Sequence, residues 1–337
     1  MTAAPRIVGL DVARGLAILG MFVAHAVPRD GGTELLVDGR SSVLFATVAG
    51  ASLGIMTGAE RPIPGNRRLD RSLSIVLRAI ILFLLGLVLV SLDSGVAIIL
   101  DYYGIMFLLL VPLLFLPRWA LAGLALVFAF VAPLLAIAAE EADAGAVAAV
   151  FADYLLPGSY PALVWLPYLI AGLIAARSDL RNPATQGAMV AAGTVLAVLG
   201  YGAALVLPGA TAEAHSDSTA EVFGSGGVAI AVIGVLLWLT AGENVLGRSA
   251  RTVLWPIAAA GSMALTLYTM QIVTLAVFTV LREDSGGAIA YPGWPLLIGL
   301  IVGSLFFASA WRSMFGAGPL ERLVTRLSQP RRSRVSA

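Results

Sequence analysis

Apolar segments about as long as a membrane-spanning helix recur along the whole chain and constrain its fold more than any other feature. A helix needs about 20 predominantly apolar residues to cross a bilayer. Hydrophobic residues make up 59% of the 337 residues and charged residues only 12%, which is far from the composition of soluble domains. The sequence therefore predicts an all-α fold, a polytopic integral membrane bundle of about ten transmembrane helices. The predicted helices cover 6–27, 40–58, 72–92, 95–116, 118–138, 159–176, 186–207, 224–241, 253–280 and 293–315.

Arginine alternates between successive connections, and this pattern predicts the orientation. Short cytoplasmic loops carry an excess of basic residues. The second, fourth, sixth and eighth connections and the C-terminal tail hold most of the arginines, whereas acidic residues concentrate in the odd connections. We expect both termini to be cytoplasmic in a multi-pass protein of the plasma (inner) membrane. Residues 1–316 are predicted to form a single transmembrane domain, and 317–337 a basic cytoplasmic tail.

The first apolar segment carries three ionisable residues, Asp11, Arg14 and His25, on one face. At about 100° per residue, Arg14 and His25 lie about 20° apart around the helix, and Asp11 lies about 40° from His25. At about 1.5 Å per residue, about 16 Å separates Arg14 from His25. Ionisable groups are costly in hydrocarbon and often functional there, so this face should contact protein or water. A local ion pair between Asp11 and Arg14 and an interfacial position for His25 are the structural alternatives.

Composition excludes several classes of site. The net charge of +1 provides no field that would attract nucleic acid. The chain has no cysteine, which excludes disulfides, thiolate metal sites and a cysteine nucleophile. Its two histidines are too few for a His-rich metal site, so no metal is expected. His215 lies in a polar connection, where we expect it to be exposed and without a role.

The sequence around His25 has a second interpretation. Ala24 and Ala26 flank His25 after an apolar run, as in the cleavage site of a signal peptide. Cleavage there would remove His25. Asp11 and Arg14 interrupt the apolar region, however, and favour a retained helix.

The ionisable face predicts a continuous buried polar seam from the arginine-rich cytoplasmic side to His25. Polar residues in other predicted helices are candidates to line this seam. Arg71 and Arg78 lie seven residues apart, nearly on one face of the third helix. Arg40 begins the second helix at the expected level of His25, where Ser41 or Ser42 could cap that helix. Helix–helix hydrogen bonding is the alternative role for such residues, and it applies equally to Ser262, Thr266, Tyr268 and Gln271 in the ninth helix. Asp101 in the fourth helix needs a partner, for which Arg40 and His25 are the candidates, and structural pairing elsewhere is an equal alternative.

The segment LDVARG from Leu10 to Gly15, with ten residues between Arg14 and His25, resembles the first helix of transmembrane acyltransferases. In the acyltransferase-3 group, an Arg-x10-His spacing is characteristic. Over more of the chain, the sequence resembles heparan-α-glucosaminide N-acetyltransferase-like and YeiB-like bacterial membrane proteins. The stretches that carry this second resemblance are 39–58, 99–109, 261–271 and 318–327.

The resemblance implies transfer of an acyl group, acetyl in the first instance, from cytoplasmic acetyl-CoA or another acyl-CoA. The acceptor would be an extracytoplasmic cell-envelope glycan or a lipid-linked relative. His25 would be the general base, a role that suits the pKa range of imidazole, with Asp101 and Arg40 beside it. The heparan enzyme has its catalysis-associated histidine after the first helix, where this chain has none from Thr33 to Arg40. The resemblance also implies that Arg14 lies near the acyl-CoA. Charge and helix position add Asp11, Arg71, Arg78, Tyr268 and Gln271 as candidates for the acyl-CoA site, with positive-inside bias and lipid headgroups as the alternative for the arginines.

Two other functions are compatible with the sequence. A transporter or flippase for a lipid-linked or amphipathic solute could use the same polar face, although transporters often show inverted repeats and a midplane site, and no such repeat is evident. A catalytically inactive relative acting as a partner protein, alone or as a homo-oligomer, is the third.

Overall fold

The computed structural model describes residues 6–27, 38–140, 153–156, 158–286 and 293–329, and within these ranges the regular structure is helical throughout. Thirteen helices follow one another, and a 3-10 turn (Val111–Leu113) extends the fourth. Their bounds are α1 (Val8–Ala26), α2 (Arg40–Met56), α3 (Gly65–Val90), α4 (Leu100–Leu110), α5 (Arg118–Glu140), α6 (Ala162–Ala176), α7 (Pro183–Val206), α8 (Thr219–Ala241), α9 (Val245–Val253), α10 (Trp255–Gly261), α11 (Ala264–Asp284), α12 (Trp294–Phe315) and α13 (Pro319–Leu327).

Seven helices are long and apolar enough to cross a membrane: α1, α3, α5, α7, α8, α11 and α12. Three shorter apolar helices, α2, α4 with its 3-10 turn, and α6, have 10–17 residues. Each predicted segment overlaps one of these ten helices. Large apolar side chains such as Leu84 and Phe306 are exposed on the outer faces, as expected where lipid is the solvent. The prediction of an all-helical, multi-pass membrane protein is confirmed.

Several predicted helices have different bounds in the structure: the third begins at Gly65 and the eighth at Thr219, earlier than predicted, and two others differ for reasons visible in the backbone. The fourth begins at Leu100, not at residue 95, because Asp93 (φ 47°) and Gly95 (φ 75°) adopt left-handed backbone conformations. The ninth divides into α10 and α11, since Met263 leaves the helical region with φ −135° and ψ 39°. The sequence also indicates a short interfacial helix over 143–156, a segment too short to cross a membrane, and most of this segment lies outside the described residues.

A carboxylate from the C-terminal tail stabilises the break between α10 and α11. Glu321 of α13 accepts hydrogen bonds from the backbone N–H groups of Leu265 (2.8 Å) and Thr266 (3.2 Å), and from the Thr266 hydroxyl at 2.7 Å. These N–H groups lack partners within α11, and an anion is favourable at a helix N-terminus. The segment 319–327, predicted to belong to a basic tail, is therefore packed against the helical bundle.

Helix α1 lies inside the bundle and contacts α2, α8, α10, α11 and α12. Its apolar side chains Val12, Ile18 and Phe22 are fully buried. Close approach to α10 depends on glycine, because a Cβ at Gly261 would lie 1.8 Å from the carbonyl oxygen of Asp11. The ionisable face of α1 therefore contacts protein, as predicted.

We predict that Gly261→Ala destabilises the protein by about 3 kcal/mol, the upper part of the usual range for overpacking. The added methyl group would meet backbone atoms of Asp11 and Gly15, so α10 must move as a whole. Thermal unfolding in detergent measures this as a lower Tm. The matched control is Gly303→Ala on α12, whose added methyl group meets nothing within 4 Å. Equal Tm values for the two variants would contradict this packing.

Candidate functional site

Asp11 and Arg14 form a charged cluster at one end of α1. The Asp11 carboxylate is buried and lies 3.0 Å from Arg6, 3.4 Å from Arg14 and 3.9 Å from Arg312. Arg14 also donates to the Ser52 hydroxyl at 2.6 Å and to the Gly261 carbonyl at 3.3 Å. The local ion pair that was the structural alternative is present, and Arg14 additionally bridges α1, α2 and α10.

A pocket of about 230 Å³ lies on the other side of Arg14 and is called here the Arg78 pocket. Arg78 of α3 is half-buried and forms no hydrogen bond or ion pair with another described residue, and its Nε is fully buried. A guanidinium withdrawn from water without a counter-ion is costly. The Arg78 pocket is therefore suited to an anionic or strongly polarised group. The other residues lining it are Arg14, Phe45, Ala49, Ser52, Leu53, Met56, Leu82, Ile99, Leu100, Tyr103, Phe107, Gly261, Ser262, Ala264, Leu265, Tyr268, Glu321, Val324 and Thr325.

A second cavity, of about 460 Å³, adjoins the Arg78 pocket and is called the Arg6 pocket. It is lined by Arg6, Asp11 and Arg181, among others, and it shares Arg14, Ser52 and Met56 with the Arg78 pocket. The two cavities therefore meet at Arg14. Together they are lined by four arginines and four acidic residues, so anion binding there depends on individual arginines rather than on net charge. The arginines are Arg6, Arg14, Arg78 and Arg181, and the acidic residues are Asp11, Glu60, Asp179 and Glu321.

The largest cavity, of about 1160 Å³, lies towards the opposite end of α1 and is called the His25 cavity. His25 is half-buried in its wall. Its Nδ1 lies 3.0 Å from Nε2 of Gln271, and that amide nitrogen also donates to the Met21 carbonyl at 3.3 Å. Gln271 is fully buried, so its amide fixes the position of the imidazole.

The Gln271 amide also determines which nitrogen of His25 carries the proton. An amide nitrogen can only donate, so in this orientation Nδ1 accepts and a neutral ring is protonated on Nε2. A base acting through Nε2 needs the other tautomer, in which Nδ1–H donates to Oε1 of Gln271. That oxygen is buried without a hydrogen-bond partner among the described residues. Rotation of the Gln271 side-chain amide by about 180° would place Oε1 beside Nδ1 and give this oxygen a hydrogen-bond donor.

His215, for which no role was expected, lines the same cavity as His25. It is exposed, as predicted. Its ring packs against Trp165 (centroids 6.1 Å apart) and Tyr160 (5.2 Å), and its backbone N–H donates to buried Glu221 at 2.8 Å. The sequence signal for this arrangement was an acidic residue, Glu221, just before the predicted eighth helix.

Hydroxyl groups complete the polar wall of the His25 cavity. The predicted cap of α2 by Ser41 or Ser42 is wrong, because Gly39 is the N-cap residue and no side chain caps the helix. Both serines line the cavity instead. Ser42 hydrogen-bonds Tyr160, and burial raises the pKa of Tyr160 to about 12, so this hydroxyl stays protonated. Asp38, Arg282 and Glu283 add charge to the cavity wall.

Asp101 and Arg40 are not positioned as predicted. Asp101 is buried in the first turn of α4 and accepts a hydrogen bond from the Tyr154 hydroxyl at 3.0 Å. Arg40 donates to the Tyr201 hydroxyl at 2.9 Å. Neither belongs to the described residues that line the His25 cavity. The predicted pairing of Asp101 with Arg40 or His25 is therefore wrong, and Gln271 contacts the imidazole nitrogen that Asp101 was expected to orient.

The predicted continuous seam is interrupted by three tyrosines, which we call the tyrosine layer. Tyr160 lines the His25 cavity, and Tyr103 and Tyr268 line the Arg78 pocket. The Tyr103 hydroxyl is buried without a hydrogen-bond partner among the described residues, and it interacts electrostatically with the other two. No described residue lines both cavities.

The separation between the two cavities is thin. Along α2, Ser42 lines the His25 cavity and Phe45 the Arg78 pocket, only about 4.5 Å further along the helix axis. Before α4, Ala97 lines the former and Ile99 the latter. About one layer of side chains therefore separates the His25 cavity from the Arg78 pocket.

The residues predicted to bind acyl-CoA divide between these cavities. Arg14, Arg78 and Tyr268 come together in the Arg78 pocket, and Asp11 lines the adjoining Arg6 pocket. Arg71 is exposed on α3, within electrostatic reach of Arg78. Gln271 lies at His25 instead. Among the described residues, no group of three His, Cys, Asp or Glu side chains could hold a metal ion.

A protein-family model described as "Protein of unknown function (DUF418)" matches residues 175–330. The matched region includes α7 to α13, and with them Tyr268, Gln271 and Glu321, but it does not include α1. No curated protein matches the chain.

Proposed function

We propose that the protein is an integral-membrane acyltransferase that moves an acyl group from cytoplasmic acyl-CoA to an extracytoplasmic acceptor. The observation that carries the proposal is the placement of the Arg78 pocket and the His25 cavity back to back across the tyrosine layer. A cationic site for the donor and an imidazole for proton transfer thereby lie on opposite sides of one thin barrier. The acceptor is a cell-envelope glycan or a lipid-linked relative, and the membrane is the plasma (inner) membrane.

The proposed orientation has ten crossings, with the short helices α2, α4 and α6 completing the seven long ones. Both termini are cytoplasmic, in agreement with the arginine-rich even connections. The Arg78 and Arg6 pockets then open towards the cytoplasm, where acyl-CoA is available. Helix α13, which forms part of the Arg78 pocket through Glu321 and Val324, lies at the same surface.

The donor site is supported by its guanidinium groups. Phosphate oxygens form strong charge-assisted hydrogen bonds with such groups, and Arg6 and Arg181 line the Arg6 pocket. Arg78 has no counter-ion among the described residues and is suited to polarise a thioester carbonyl. The Arg6 pocket is the larger of the two connected spaces and takes the nucleotide end of coenzyme A. The thioester end extends past Arg14 into the Arg78 pocket.

The transfer step uses His25 as its proton carrier. The hydroxyl or amine of the acceptor attacks the thioester carbonyl, a new C–O or C–N bond forms, and the C–S bond breaks. His25 takes the acceptor's proton on Nε2 and returns it to the departing thiolate, which leaves as the thiol. This role requires Nδ1–H to donate to Gln271 Oε1, and it requires the tyrosine layer to open so that the thioester reaches the imidazole.

A transporter for an amphipathic solute is the second candidate. The tyrosine layer between the two cavities favours a transporter, because a transporter in its occluded state would also have two cavities separated by a closed layer of side chains. The two functions differ in their product, since a transporter leaves the thioester intact.

Binding of coenzyme A is the first test of the proposal. Titration of the purified protein in detergent by calorimetry should give saturable binding of one molecule per chain. Absence of binding at millimolar coenzyme A would contradict the donor site.

A further inference from the structure

The Arg78 pocket combines a cationic end with apolar walls. Arg78 and Leu82 lie four residues apart on α3 and therefore on one face of that helix. Leu53, Leu82 and Phe107, which line the remainder of the pocket, are all buried. Such a cavity fits an amphiphile with a polar or anionic head and an apolar tail.

The size of the pocket limits the tail. Its volume of about 230 Å³ is below the range of about 300–1,000 Å³ that is usual for drug-sized ligands, so a nucleotide does not fit. At about 30 Å³ for each water-sized group, it holds about seven such groups. An acetyl group has only two carbons and would leave most of the pocket unfilled, with its apolar lining deprived of contacts.

We propose that the Arg78 pocket is the acyl-chain site of the donor and that it selects an unbranched chain of about four to six carbons over acetyl. This inference rests on the proposed function and specifies its donor. The thioester carbonyl lies near Arg78 and Arg14, and the chain extends along Leu82 towards Phe107. Leu82 and Phe107 are the residues that determine specificity.

The expected preference follows from burial of methylene groups. Each methylene moved from water into an apolar site contributes about 0.8 kcal/mol, which is about fourfold in Kd. Butyryl-CoA should therefore bind at least tenfold more tightly than acetyl-CoA, and hexanoyl-CoA more tightly again. Calorimetric titration of the purified full-length protein with coenzyme A and these three thioesters measures the series.

Two matched variants on α3 locate the chain. Leu82→Trp fills the pocket and should abolish the preference for hexanoyl-CoA over acetyl-CoA. Leu84→Trp is the control, because Leu84 is 55% exposed on the outer face and the variant should retain the wild-type series. Leu82→Ala enlarges the pocket and should move the preference towards octanoyl-CoA, which keeps the test informative if the tryptophan variant does not fold.

Two results would overturn the inference. The first is equal affinity of the wild-type protein for acetyl-CoA, butyryl-CoA and hexanoyl-CoA. The second is an unchanged chain-length preference in both Leu82 variants. In either case, retained binding of coenzyme A itself would leave the proposed donor site intact, whereas loss of all coenzyme A binding in the wild-type protein would contradict the acyltransferase proposal instead.

Discussion

The variant His25→Ala is expected to lower the rate of acyl transfer about 100- to 10,000-fold, the usual contribution of a general acid–base group. Without the imidazole, the acceptor must attack while still protonated, and the thiolate must leave without a proton. The measurement is release of coenzyme A from radiolabelled acetyl-CoA by purified protein, with water or an added acceptor fraction receiving the label.

Two control measurements on His25→Ala are its affinity for coenzyme A and its Tm. Both should be unchanged, because His25 lies in a different cavity from the donor site. His25 lies in the His25 cavity, beyond the tyrosine layer from Arg78, so His25→Ala should retain wild-type affinity for coenzyme A. Its Tm should remain close to the wild-type value, because His25 is only half-buried. A folded variant that binds coenzyme A and turns over at the wild-type rate would remove His25 from the mechanism.

The variant Arg78→Gln is expected to weaken acetyl-CoA binding about 10- to 100-fold, because the thioester carbonyl loses its guanidinium donor. A hydrogen bond to a charged group contributes about 1.5–3 kcal/mol, and the neutral amide of glutamine loses both the charge and part of the geometry. Because Arg78 has no counter-ion among the described residues, its removal leaves no carboxylate unpaired there. The free energy of unfolding should therefore stay unchanged or increase.

Arg67→Gln is the matched control for Arg78→Gln. Arg67 lies on the same helix, is exposed and is not among the residues that line the Arg78 pocket. Its replacement should alter the Kd for acetyl-CoA less than twofold. Equal losses of affinity in the two variants would indicate general attraction by the arginine-rich surface rather than a defined site.

The polar face of α1 was predictable from sequence because helical geometry fixes the relative directions of Asp11, Arg14 and His25 within one element. The cost of ionisable groups in an apolar environment then required that this face contact protein. Arg78 was predictable for the same reason, since it lies inside an apolar run. In each case the prediction needed only local periodicity and hydrophobicity.

The parts that sequence reasoning missed depend on contacts between distant segments. The helix break at Met263 is stabilised by Glu321, a residue 58 positions later in the chain, through hydrogen bonds that no local pattern reveals. His215 reaches the His25 cavity because its loop folds onto Glu221 and Trp165. Asp101 was expected beside His25 only because the two residues should lie at a similar depth in the membrane. Depth does not specify which side of the bundle a residue faces, and Asp101 instead accepts a hydrogen bond from Tyr154.

The tyrosine layer could not be predicted from the sequence either. Tyr103, Tyr160 and Tyr268 belong to three separate elements, and nothing in their spacing indicates that they meet between two cavities. The expected seam was correct in its two ends and wrong in its continuity. An acyltransferase of this construction must therefore open a barrier during each turnover.

Transfer across that barrier is tested most directly in sealed membrane vesicles of opposite orientation, prepared from cells that express the protein. Inverted vesicles expose the cytoplasmic face, so radiolabelled acetyl-CoA or butyryl-CoA added outside should be consumed and the labelled acyl group should accumulate inside. Right-side-out vesicles should consume neither thioester, and inverted vesicles with His25→Ala should bind the donor without turnover. Intact thioester in the lumen, or consumption that is equal in both orientations, would contradict transfer from a cytoplasmic donor site to an extracytoplasmic imidazole.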